Sequence, residues 1–139
     1  MSADSWKLAP GLNHVGAYQV SGQPFATGSV NCTTATKISF PYVTRWVIVR
    51  NRSATASEDL KVGFSQNGVE GTNYFVLPNA FGATSEDRSS IISPLELKVS
   101  EIWLSGSSDV DIVAGLTGIP AARTTTEDGT SWSGSAGVG

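Results

Sequence analysis

The chain has 139 residues, enough for one domain with its own core. Apolar residues make up 40% and charged residues only 15%, against about 25% charged in an average soluble domain. A net charge of −3 supplies no basic footprint, which argues against nucleic acid as the main partner. A surface so poor in charge is either modest or shared with neighbours.

Cys32 is the only cysteine, so no intrachain disulfide and no paired-cysteine metal motif can form. It is expected to be a small apolar filler beside a strand. The opening MSADSWKLAPGL lacks a charged-then-apolar signal pattern, and no run approaches the roughly 18 apolar residues of a spanning helix. The expectation is synthesis in a cytosol with no membrane span, which leaves the glycosylation sequons at Asn31 and Asn51 without meaning.

Residues 1–12 read as a polar N-terminal arm carrying Trp6. From there the apolar pattern has period two rather than 3.6. Strands are expected at HVGAYQV (14–20), PFATGSV (24–30), TKISF (36–40) and VTRWVIVRN (43–51). Others follow at LKVGFS (60–65), NYFVL (73–77), LELKV (95–99), SEIWLSG (100–106) and DVDIVAGL (109–116). The turns between them are rich in Gly, Pro, Asn and Ser, and the stretch Gln66–Gly71 reads as a hairpin with a left-handed glycine at 68 or 71. The fold class is therefore all-β: an antiparallel sandwich of eight to nine strands, read as a single jelly roll over residues 13–120 with extended arms at both ends. An immunoglobulin-like sandwich is the competing arrangement.

VTRWVIVRN is apolar on both faces: Val43, Val47 and Val49 share one with Arg45, while Trp46 and Ile48 share the other with Arg50. It reads as a central strand with its second face under a loop or against another subunit, where Trp and Arg are favoured anchors. Residues 121–139 form a Gly/Ser-rich arm with one strong anchor, Trp132, able to dock on its own domain or on a neighbour. Trp6, Trp46, Arg50 and Trp132 are the candidate interface residues.

Catalytic chemistry is not visible. His14, the only histidine, has no nucleophile or carboxylate motif around it, and one His with one Cys is a poor start for zinc. The carboxylate pairs at 58–59 and 86–87 sit in turn-like loops, and Asp109 and Asp111 read as an exposed strand face. No catalytic residue, no cofactor and no metal site is expected. The chain looks suited to assembly rather than turnover.

Four stretches carry a resemblance: HVGAYQVSGQPFATGS (14–29), ISFPYVTRWVIVRN (38–51), LKVGFSQNGVEGTNYFVL (60–77) and LKVSEIWLSGSSDVDIVAGLTGIP (97–120). Together they resemble small β-sandwich virion proteins of double-stranded DNA viruses, including phages and algal viruses. The resemblance implies a non-enzymatic capsid component, either a vertex (penton) or a minor cementing protein. Its partners would be copies of itself in a symmetric homo-oligomer and other capsid proteins, and its location the virion. No binding motif of that family maps onto individual residues here. The alternative is a carbohydrate- or receptor-binding sandwich using Trp46, Trp103, Tyr18 or Tyr74 as stacking platforms. An enzyme on a jelly-roll scaffold ranks third.

Overall fold

The structure, a computed structural model, describes residues 22–80 and 94–139. The strand expected at 14–20, with His14 and Tyr18, and the arm carrying Trp6 lie outside the described residues. Within them the chain is mostly β. Its strands are β1 (Gln23–Cys32), β2 (Thr36–Ser39), β3 (Tyr42–Asn51), β4 (Leu60–Gly63), β5 (Tyr74–Leu77), β6 (Glu101–Ser105) and β7 (Ser107–Pro120). A short helix α1 (Gln66–Glu70) and a 3-10 turn (Ala121–Thr124) complete the described elements.

The strands form two antiparallel sheets, one ordered β1-β7-β3 and the other β2-β6-β4-β5. Alternation sends one parity of each strand inward. Val110, Ile112, Ala114 and Leu116 of β7 and Val47 and Val49 of β3 meet Ile38 of β2, Leu60 and Val62 of β4, and Ile102 and Leu104 of β6. Phe25 of β1 closes on Phe40 edge to face, with ring centroids 5.0 Å apart.

Four register shifts interrupt the β1-β7-β3 sheet, and two of them are single-residue bulges in β1 and β3. In β1 the pairing with β7 shifts between Thr27 and Val30, where Ser29 takes φ of 54°. In β3 the register slips between Thr44 and Trp46, leaving Arg45 as the extra residue. The second bulge moves Thr44, not Arg45, to the core side opposite Leu116, and the Thr44 hydroxyl donates to the Leu97 carbonyl at 2.6 Å.

Two sequence expectations need correction. Gln66–Gly71 is not a hairpin but α1, capped by Ser65, whose Oγ accepts the Gly68 amide at 2.9 Å. Gly71 has φ of −101°, so no left-handed residue is required there. Gly68 is needed for space instead, because the Val138 carbonyl lies where its Cβ would stand. LELKV (95–99) alternates as expected but is not a regular strand. Leu97 N–H turns back to the Leu95 carbonyl at 3.0 Å, so only Leu95 forms a ladder bridge, to Val47.

One end of the sandwich is closed by a polar cluster. Buried Asn51 donates to the carbonyls of Glu58 at 3.0 Å and Leu77 at 3.2 Å, and accepts from Ser53 N–H at 3.2 Å and the Ser107 hydroxyl at 2.7 Å. It thus links both sheets and the loop after β3. The Glu58 carboxylate accepts from the Ser53 hydroxyl and from the Ser108 hydroxyl and amide, in that order of effect, which holds its pKa below the ordinary value.

Asn51→Ala leaves four polar groups unpaired in a buried space, and is expected to cost about 3 kcal/mol in urea unfolding. Glu58 binds its proton less readily folded than unfolded. Its contribution is therefore complete above the ordinary glutamate value near ~4.3 and is lost as pH falls through the lower folded value. Melting temperature followed against pH should fall more steeply on the acid side for the wild type than for Glu58→Gln.

Candidate functional site

Alternation gives sheet β1-β7-β3 an outward parity as well as an inward one. Outward on β3 come Trp46, Ile48 and Arg50, which pair across with Gly115, Val113 and Asp111 of β7. On the other side of β7, Val113 faces Ala26 and Gly115 faces Pro24 of β1. The centre of this face is therefore aliphatic: Val113 lies between Ile48 and Ala26 and is 36% exposed. A shallow depression of about 400 Å³ is lined there by Ala26, Gly28, Ile48, Arg50, Asp111 and Val113.

The rim is charged and ordered. Asp111 accepts the Ser29 amide at 2.9 Å, and its carboxylate lies 3.5 Å from Arg52 Nε. Asp109 stands 3.8 Å from Arg52 Nη1. Gly28 permits this packing, since a Cβ there would lie 3.0 Å from Asp111 Oδ1. Such exposed pairs contribute little stability. Their effect is positional: Asp111 is held against β1, while Arg50, its cross-strand neighbour, makes no ion pair among the described residues.

Trp46 and Arg50 thus share one surface. Trp132 is elsewhere, and Trp6 lies outside the described residues. After β7 the chain wraps the end of the sandwich opposite Asn51. Ser131 and Trp132 both take left-handed conformations, with φ of 48° and 68°, a cost of roughly 1–3 kcal/mol each. Several contacts offset it. The Ser131 hydroxyl oxygen accepts the amides of Ser100 at 3.1 Å and Glu101 at 3.3 Å, and the Thr124 and Ser100 hydroxyls lie 2.7 Å apart. The Trp132 indole N–H donates to the Lys98 carbonyl and its ring packs on the core beside Phe64 and Val138. The Ser65 hydroxyl, already capping α1, donates to the Val138 carbonyl at 2.7 Å. The anchor lands on its own domain.

The other aromatics differ in setting. Tyr74 is exposed on sheet β2-β6-β4-β5 with Lys61 Nζ 4.8 Å from its ring centroid. Trp103, half-buried on the same face, donates its indole N–H to Glu101 at 2.6 Å. Glu101 and Ser131 are the positions that sequence reasoning missed. Glu101 carried one signal, its period-two spacing from Trp103, while an unremarkable serine in a Gly/Ser run carried none. Cys32 is fully buried and its thiol is pushed up to about 11 by desolvation, so it is no nucleophile at neutral pH. Among the described residues no cluster of three or more His, Cys, Asp or Glu is placed to hold a metal, and no helix is long and apolar enough to cross a membrane.

No protein-family profile, no curated protein and no solved structure matches this chain.

Trp132→Ala removes a half-buried indole and its hydrogen bond to the Lys98 carbonyl. It is expected to cost about 2 kcal/mol in urea unfolding. Hydrogen exchange at the Ser100 and Glu101 amides should accelerate in the same variant, because the turn that presents Ser131 loses its anchor.

Proposed function

We propose that this chain is a non-enzymatic structural subunit of a viral capsid, a vertex (penton) or minor cementing protein built on a single jelly roll. The observation that carries the reading is the order of the strand pairs. β4 pairs with β5, β3 with Leu95, β2 with β6, and β1 with β7, each pair enclosing the one before. The pairs also alternate between the two sheets. Nested pairing of this kind is what a long antiparallel hairpin gives when it rolls up, and it supports a jelly roll over an immunoglobulin-like sandwich.

A fold does not fix a function. What directs this one towards assembly is the outer face of sheet β1-β7-β3, with an aliphatic centre, an Arg50 without an ion pair among the described residues and a half-buried Trp46 at its margin. That is the composition of a protein interface: an apolar middle, Trp and Arg near it, and fixed charges outside. With the C-terminal segment folded onto its own domain, this face is the surface offered to copies of the chain and to other capsid proteins. A ring of such copies closes when one flank meets a different flank of its neighbour.

Val113→Glu tests the reading, because an exposed strand position tolerates polar substitution with little change in stability. The wild type is expected to oligomerise in light scattering and to co-purify with particles. Val113→Glu should melt at the same temperature yet stay monomeric. A wild type that remains monomeric at high concentration, or a variant that assembles equally well, would overturn it.

A further inference from the structure

The outer face of sheet β2-β6-β4-β5 has the opposite chemistry. A groove of about 470 Å³ runs there between β2, β6, α1 and the C-terminal segment. Its lining includes Lys37, Asn67, Glu101, Trp103, Asp128 and Thr130. Lys37 lies directly across from Trp103, and on the other side Trp103 faces Gly63, which has no side chain to crowd the indole.

The groove's floor is rigid and its walls are uncommitted. Glu101, only 6% exposed, spends one carboxylate oxygen on the Trp103 indole N–H at 2.6 Å and the other on the Thr130 hydroxyl. Those bonds fix the plane of Trp103 and tie the C-terminal wall to β6. By contrast the Lys37 ammonium, the Asn67 amide and the Asp128 carboxylate are exposed and engage no hydrogen bond or ion pair among the described residues. One donor, one acceptor and one group that is both surround a half-buried aromatic.

From this arrangement we infer that the groove binds a neutral saccharide. A sugar ring presents a C–H face that packs on an indole, and hydroxyls that donate and accept at once. Lys37, Asn67 and Asp128 supply the complementary acceptors and donors at the margin. Neutral ligands are favoured because free charge of both signs lines the walls: an anion would meet Asp128, and a cation Lys37. The groove lies on the opposite sheet from the aliphatic face, so the inference is independent of the capsid reading.

The test is titration calorimetry and saturation-transfer NMR on the full chain. The probes are glucose, galactose, mannose, N-acetylglucosamine and the cello-, malto- and chito-oligosaccharides, with sialyllactose and glucosamine as charged counterparts. At least one neutral probe is expected to bind at about millimolar affinity and to outcompete its charged counterparts. Asn67→Ala and Asp128→Ala, both exposed and melting as the wild type, should each weaken it about tenfold. Trp103→Leu should abolish it, while Val113→Glu should bind as the wild type. Absence of any neutral ligand, preference for the charged probes, or unchanged binding in both exposed variants would overturn the inference. A wild type that stays monomeric yet binds a neutral probe would count against the capsid reading alone.

Discussion

The hydrogen-bonded union of β7 with β1 on one side and β3 on the other is the constraint that the rest of the molecule obeys. β7 is the longest described strand, and its inward residues stand opposite Phe25 and Thr27 on one side and Val47, Val49 and Asn51 on the other. A slip of one residue on either side would turn an entire apolar set outward. The bulges at Ser29 and Arg45 absorb the strands' extra length without that slip. Because the pairs are nested, each closes its loop more cheaply once the pair inside it has formed. β4 and β5, separated only by α1, form the natural first contact, and β1 with β7 the last. Long-range pairing of this kind is slow to form and resists partial opening once complete.

A sandwich exposes core at its two open ends, and this chain treats the ends differently. Where β3 and β5 finish and β4 and β7 begin, buried Asn51 satisfies all of its amide's capacity across both sheets. A polar plug is sound only when fully paired, and this one is. At the other end the seal is apolar: Trp132, brought over Phe64 and Lys98 by a turn of two left-handed residues. The Gly/Ser composition of that segment reflects sharp turning, not looseness. Gly134 stands so close to the Asp128 side chain that a Cβ would collide with it.

Most of the strands were legible because alternation is imposed by burial of one face. Ile38 and Phe40, Leu60 and Val62, Leu95 and Leu97, and Val110 to Leu116 all announced their parity. What was not legible depended on contacts distant in sequence. α1 exists because Ser65 caps it and the far segment around Val138 packs on Gly68, and nothing in QNGVEG encodes that partner. The 95–99 stretch alternates like a strand, but the Thr44 hydroxyl takes the Leu97 carbonyl that a ladder would need. The placement of Thr44 in the core followed from a bulge that leaves no compositional mark. For the candidate surfaces, Trp46 and Arg50 were visible as outward residues of one strand. The groove around Trp103 joins four separated segments and was not.

The inward parity of each strand is constrained by folding, since a polar side chain there must be given partners, as Thr44 and Asn51 are. The outward parity carries no such demand, so its chemistry is free to differ between sheets. On β3 and β7 the outward positions Ile48 and Val113 are apolar. On β2 and β6 they are Lys37, Glu101 and Trp103. The two outer surfaces are separated by the thickness of the sandwich, about 10 Å between sheets plus the outward side chains. At that distance substitutions on one act on the other weakly and nearly additively. One small chain can therefore carry an apolar contact face and a polar groove without either compromising the other. The core between them insulates as well as supports.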